Sequence, residues 1–458
     1  MLHTPSNALG TVVPLYGAGP NAAGGGGTFA GPRDAHRIVV GFDSVPYADT
    51  GTDADFLDPG DGTGIQAALV AAAALGFPCD IRLRPGTATL TAVTALLTVP
   101  AGCRLIGAEI GESTIIGYAG SLTVSQQMLA LGVNAGVEHL TLTSPSPTVL
   151  GALAANGLIV GAAGSFVRHV KVTMNQNVDA PDRTVTNAFY DATPAGVEID
   201  TFDVFYSALT PAIAGIAVRF EAAAAYAAGA QPGAAFPPSN VRNVTMQNGI
   251  DAVASTNWYD ATVSNVRHTN ASQSIVLFDT TTLFAPGANI IGPRVHVVTG
   301  TSSGDNNFAA VSVLNTTTAG AMLVHGTDIA DVTVFNDANH ALGVTVVVQI
   351  VAGGTVTFKS SNIERVTAPL ADILVALMAT VEGSRIDDSH VSKIGGTGAI
   401  FMGTSAGLGG TQQHNIVLNS TIDTLTIEAN VVSAVIGFSK ITTISDSGTT
   451  TEIGHVVT

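Results

Sequence analysis

Charge and aromatic rings are both scarce in this chain. Only 11% of its 458 residues are Asp, Glu, Lys or Arg, against about a quarter in ordinary soluble domains. The 34 acidic residues outnumber the 17 basic ones, for a formal charge of −17. With no clustered Lys/Arg stripe, such a chain repels phosphate backbones, which excludes nucleic acid as a partner. One Trp and seven Tyr are a thin supply of stacking platforms for a broad sugar cleft. Cys79 and Cys103 are the only cysteines, too few for a disulfide scaffold and without spaced histidines for zinc. Both read as free, buried thiols, and neither a metal nor another cofactor is expected. The sequence has no run of about 18 apolar residues to cross a bilayer. Its opening, MLHTPSNALGTVVPLYGAGP, has no basic start followed by an apolar core, so membrane insertion and a signal peptide are not expected. Synthesis in a cytoplasm follows as the expectation.

What is abundant is small and β-forming: 51 glycines, with alanine, threonine, valine and serine supplying most of the rest. Residues 1–58 hold Pro5, Pro14, Pro20, Pro32 and Pro46 and the run NAAGGGGTFAGP, and read as an extended N-terminal arm with one short strand candidate, HRIVVGF. Residues 63–75 then place Ile65, Ala68, Leu69, Ala72 and Leu75 on one helical face, after a cap at Asp61 or Thr63 and before Gly76 and Pro78. Almost no other segment reads as a helix.

Short alternating strands follow nearly to the C-terminus. A unit of apolar-x-polar-apolar-x-apolar recurs as VEHLTL at 137, VRHVKV at 167, VRNVTM at 241, VSNVRH at 263 and IADVTV at 329. This rhythm predicts an all-β solenoid, a parallel β-helix of about 12 to 14 coils and about 60 Å, whose open strand edge the 63–75 helix covers. The expected organisation is an arm over 1–58, a β-helix over 59–410 and terminal coils over 411–458 that form a trimer-closing region. Between about 174 and 240 the repeat reads as interrupted by loops, including an Ala-rich piece with Phe220, Tyr226 and Phe236 that is expected to bury itself against a neighbouring subunit.

The stretch DGTGIQAALVAAAALG, then IRLRPGTATL, then LTVPAGCRLIGAEIGESTIIG resembles the N-terminal cap and first coils of the pectate-lyase-like right-handed β-helix superfamily, found in polysaccharide lyases, glycoside hydrolases and phage tailspikes. Asp61, Gly62, Pro85, Gly86, Pro100, Gly102, Leu105 and Gly107 fill the positions that carry the likeness. The small pair Thr87-Ala88 stands where the superfamily has an aromatic. In repeat style the chain is most similar to bacteriophage tailspike and fibre proteins.

Candidate sites are few. Glu198, Asp200 and Asp203 in GVEIDTFDVFY offer carboxylates for glycoside hydrolysis. Glu198 and Asp200 share a strand face, a spacing at which one carboxyl is expected to rise toward the range of a general acid. Trp258-Tyr259 is the adjacent aromatic pair most suited to a carbohydrate contact. His139, His169, His268 and His390 fall at strands or corners and read as solvent-facing or stacked. The resemblance implies a structural and attachment protein of a phage virion: a homotrimer docked to other virion proteins through residues 1–58, binding host surface polysaccharide without clear catalysis. A polysaccharide lyase or hydrolase on the same scaffold, and a bacterial surface adhesin, are the alternatives.

Overall fold

The computed structural model describes residues 37–43, 54–118, 127–144, 157–174, 186–207, 215–222, 237–280, 288–302, 308–315, 321–335, 344–350, 355–359, 362–367 and 373–378, with shorter stretches from 380 to 457. Its strands pair in parallel, each with a strand one coil away. One register column runs unbroken from Arg37 through Asp80, Arg104, Gly136, Phe166, Glu198, Asn240 and Thr262. It continues through Arg294, Asp328, Asn362, Arg385, Ile416 and Val435 to Thr451. Such a column arises when a chain winds as a solenoid, and the coil takes the right hand that parallel crossovers adopt. The chain is a right-handed parallel β-helix. Among the described residues it is walled by an 18-stranded, a 14-stranded and a 6-stranded sheet.

The recurring sequence unit explains how each coil turns. In a straight strand, positions 1 and 4 of the unit point to opposite faces. Here both point inward, because position 3 sits in the left-handed region and turns the chain between two legs of one strand. His139, His169, Asn243, Asn265 and Asp331 occupy it in the recognised units; Thr201, Val297 and Arg365 occupy it in other rungs, all with φ between 51° and 58°. Val137, Leu140 and Leu142 are therefore buried together, as are Val167, Val170 and Val172. Full burial of one such side chain contributes about 1.5–3 kcal/mol. A second left-handed column, at Gly102, Asn134, Gly164 and Gly196, makes the opposite corner. Each amide there donates to a carbonyl one coil on, at 2.8–3.0 Å, so no corner N–H is left unpaired.

The solenoid begins earlier than residue 59. Strand β1 (Arg37–Phe42) pairs with β2 (Phe56–Asp58) on one side and β3 (Asp80–Leu83) on the other. Residues 37–42 and 56–58, read from the sequence as part of an arm, are thus rungs, because Ile38, Val40, Phe42 and Phe56 join the common core. Residues 1–36 lie outside the described residues. Helix α1 (Thr63–Leu75) forms as expected, with Gly76 left-handed at its end. Its buried face, Ile65, Ala68, Leu69 and Ala72, packs against β1, β2 and the strand Leu97–Val99, the edge strand of the 14-stranded sheet.

The anchor of α1 is not the expected Asp61 or Thr63. The buried Asp58 takes the amides of Gly60, Asp61 and Gly62 on Oδ1 at 2.8–3.0 Å, and that of Ile65 on Oδ2 at 3.0 Å. Asp61 accepts locally from Thr63. A Cβ on Gly64 would sit 2.5 Å from the Leu57 carbonyl oxygen, so only glycine lets the helix approach β2 this closely. Cys79 and Cys103 stack in consecutive coils as free, buried thiols that share a hydrogen bond with Sγ atoms 3.6 Å apart. Burial and the neighbouring thiol push Cys79 up to about 12.

The expected interruption over 174–240 contains three rungs, Thr186–Asp191, Glu198–Tyr206 and Gly215–Glu221. Phe220 is a core residue packed edge-on to Phe189 at 6.4 Å, not a subunit contact. Tyr226 and Phe236 lie outside the described residues. Beyond 411, Thr421–Ile427, Ala434–Gly437, Lys440–Asp446 and Thr450–Ile453 continue the coils.

Candidate functional site

Over four consecutive rungs, from Gly136–Ser144 to Ser239–Gln247, the first leg presents an outer face on which charge alternates up the stack. Glu138, Arg168, Asp200 and Arg242 are register partners in consecutive coils. The guanidinium of Arg104 grips Asp80 with Nε at 2.7 Å and Nη2 at 2.9 Å, and lies 3.8 Å from Glu138. Arg168 stands between Glu138 at 3.6 Å and Glu198 at 2.5 Å, with its guanidinium carbon 4.6 Å above the Phe166 ring. Arg242 meets Glu198 at 3.0 Å and Asp200 at 2.9 Å through one nitrogen. Because parallel in-register strands put partners about 4.8 Å apart, like charges in this column would repel at every step. Alternation turns that repulsion into a ladder.

This ladder absorbs the two strongest catalytic candidates. Burial tends to raise Asp200, but hydrogen bonds from Asn243 at 2.7 Å and Thr201 at 3.1 Å, together with the Arg242 charge, hold it below the usual carboxylate range. At Asp200 the expected rise toward general-acid behaviour is therefore reversed: the hydrogen bonds from Asn243 and Thr201, with the Arg242 charge, outweigh burial. Asp203 does not join Glu198 and Asp200. The left-handed Thr201 turns the chain between them, and Asp203 falls on the second leg in register with Lys171 and Thr245.

Trp258 and Tyr259 are 1% and 0% exposed, which removes both ring faces from contact with a sugar. Trp258 donates from Nε1 to the Asp260 carbonyl at 3.0 Å, and the Tyr259 hydroxyl donates to the Leu314 carbonyl. The pair was singled out as a carbohydrate contact because sugar-binding grooves use Trp and Tyr rings as stacking platforms. Here an irregular segment between two strands places both in the core.

The corner column carries its own polar stack. His139 and His169 lie face to face, ring centroids 4.8 Å apart and 8° between planes, as expected for stacked corner histidines. Asn265 donates to Asn243 at 2.7 Å, and Arg365 grips Asp331 at 2.5 and 3.0 Å. His268 differs: it is fully buried, bonded to the Asn248 carbonyl oxygen at 3.2 Å, and burial brings it down to about 4. His390 lies outside the described residues.

Three interior groups were not read from the sequence. Asp58 anchors the cap. Asp191 is pushed up to about 6 by burial against the hydrogen bonds it accepts from Thr193. Asp251 is pushed up to about 7 by burial, with Ser274 opposing. A carboxyl in that range is a signature of general acids, but a Cβ at Gly161 would lie 2.7 Å from Asp191 Oδ2 and 2.5 Å from the Phe189 ring, which sets Asp191 among interior atoms. The ladder itself had a signal in the sequence: the second residue of successive rungs reads Glu138, Arg168, Asp200, Arg242.

No family model and no curated protein matches the sequence. Among solved structures, the fold is similar to a double mutant of the tailspike protein of E. coli bacteriophage HK620, at 13% identity and TM-score 0.49, covering 85% of this chain and 74% of that one. It is similar to the A-module of the Azotobacter vinelandii mannuronan C-5 epimerase AlgE4, at 14% identity and TM-score 0.39, covering 87% and 97%. It is also similar to the pre-mature gene product 12 of bacteriophage phi29, at 12% identity and TM-score 0.46, covering 87% and 55%. Among the described residues, no helix is long and apolar enough to cross a membrane, and no three His, Cys, Asp or Glu residues are grouped to hold a metal ion.

Proposed function

We propose that this chain is a structural and attachment protein of a bacteriophage particle, a homotrimeric rod that contacts host surface polysaccharide without cleaving it. The observation that carries this reading is the commitment of Glu198 and Asp200 to Arg168, Arg242 and Asn243. Hydrolysis of a glycosidic bond needs one carboxyl that holds a proton near neutrality and a second that faces the same bond. Neither condition suits a pair of carboxylates locked to arginines. The exposed corner amides of Asn243 and Asn265 offer hydrogen bonds to a glycan without acid–base chemistry. Charge on only 11% of residues supports burial of lateral surface between copies, and the N-terminal end, residues 1–58, is the end that docks to the virion.

Two measurements test this together. Light scattering on purified protein gives three times the chain mass, and a map of the particle places the α1 end against other virion proteins. A monomer in solution removes the trimer, and a particle map with the α1 end free in solvent removes the attachment role.

A further inference from the structure

Cys79 and Cys103 stand directly before two paired strands. Strand β3 pairs with the strand Arg104–Ile106 in the register Asp80 to Arg104 and Ile81 to Leu105, and the Arg104 amide donates to the Cys79 carbonyl at 3.0 Å. The register therefore sets Cys79 beside Cys103 one coil on, both turned into the core at 3% and 1% exposure. Parallel partners lie about 4.8 Å apart, inside the range of roughly 4.4–6.8 Å between Cα atoms that a disulfide bridges. With the Sγ atoms already 3.6 Å apart, closure to a bond of about 2 Å asks for a small side-chain rotation and little backbone movement. The chain has no third cysteine to compete.

A covalent tie at this point would hold the capped end. Helix α1 ends at Leu75, and Gly76, Phe77 and Pro78 lead straight into Cys79. The Cys103 thiol donates toward the Phe77 carbonyl at 3.9 Å, and a Cβ on Gly102 would lie 3.1 Å from the Pro78 ring, so the two segments pack side by side. A bond between them fastens the segment that leaves α1 to the next coil, 24 residues on. The end coils of a solenoid have fewer neighbours than the middle ones and open first. Because burial holds Cys79 up to about 12 and the thiolate is the reactive form, the thiol stays inert while the end is closed, and its oxidation follows the openings of that end.

We infer that Cys79 and Cys103 are an oxidation site: a peroxide converts them to a disulfide that staples the segment after α1 to the coil behind it. One sulfur, as its thiolate, attacks a peroxide oxygen; the S–O bond forms, the O–O bond breaks, and the departing hydroxide takes up the thiol's proton as water. The second sulfur then attacks the sulfenic sulfur; the S–S bond forms, the S–O bond breaks, and the second thiol's proton leaves with that oxygen as another water. Two thiols and one hydrogen peroxide give one disulfide and two waters, the protein losing the two electrons that the peroxide gains. Neither a particle nor a glycan enters the inference, so it can fail while the attachment role stands.

The full-length protein, treated with hydrogen peroxide, quenched and digested without reduction, tests it. The expected product is one linked pair of peptides carrying Cys79 and Cys103 of the same chain, two hydrogens lighter than the separate peptides. Amide exchange over residues 63–83 is expected to slow severalfold with the link and to return with dithiothreitol. Cys103→Ser, treated in the same way, is expected to show no slowing. Treated protein in which both cysteines still react with iodoacetamide after unfolding, a sulfinic acid in place of the link, or a link to a second copy would overturn the inference, and each is read on the parent protein without any variant. A link that leaves exchange over residues 63–83 unchanged would overturn the staple as well.

Discussion

The guanidinium of Arg168 lies 2.5 Å from the Glu198 carboxylate and 3.6 Å from that of Glu138, one cation bracketed by the acids of the rungs on either side. Glu138 is nearly buried, so removing its partner exposes the cost of holding that charge in the wall. Arg168→Met is expected to lower stability by about 1–2 kcal/mol, a figure reduced because Arg168 is more than a third exposed and screened by solvent. Glu198→Gln keeps an acceptor and is expected to cost less than about 1 kcal/mol. Denaturant midpoints check both, and equal midpoints for parent and Arg168→Met would make the ladder incidental.

Asp251 sets a pH dependence whose sign follows from its raised value. Burial holds it up to about 7 in the folded chain, against about 3.9 unfolded. Between those values the folded state binds the extra proton, so this group makes stability fall as pH rises from about 4 to 7, and level off above. Asp251→Asn keeps an acceptor for the Ser274 amide. The variant is expected to melt above the parent at about pH 8 and with it at about pH 3. His268, held down to about 4, contributes the opposite slope, but equally in both proteins.

Val297 is the β-branched aliphatic member of the left-handed corner column, with φ 57° and 42% exposure. Left-handed backbone costs a non-glycine residue about 1–2 kcal/mol, and asparagine bears that conformation best after glycine. Val297→Asn is expected to raise the melting temperature, extending the Asn243–Asn265 column by one rung. A fall in melting temperature would show that the valine contributes packing that its exposure does not reveal.

These corner residues also show what the sequence made legible. The apolar-x-polar-apolar-x-apolar unit marked the rungs, the cap helix was readable from periodicity, and Cys79 and Cys103 were legible as free, buried thiols. The bend inside each unit was not, because His139, Arg365 and Val297 are not turn residues; stacking on the coil below, not local preference, holds them left-handed. Trp258-Tyr259 was misread because nothing local distinguishes a buried aromatic pair from an exposed one. The rungs over 174–240 were hidden by Ala- and Pro-rich neighbours, although IDTFDV, from Ile199 to Val204, fits the unit. Asp58 escaped notice because it stands five residues before the helix it anchors.

Asp58→Ala leaves the amides of Gly60, Gly62 and Ile65 without their acceptor. A loss of about 2–3 kcal/mol is expected, confined to the capped end. Hydrogen exchange should therefore rise over residues 60–75 and stay unchanged in the Phe166–Met174 strand. Uniform loss of protection would contradict a local anchor.

The most direct test of the central claim is an assay of the purified protein on host capsule or O-antigen polysaccharide, read as release of new chain ends. A ladder of carboxylates locked to arginines predicts binding with no release. Depolymerisation by the parent protein that is abolished by Glu198→Gln or Asp200→Asn would contradict it.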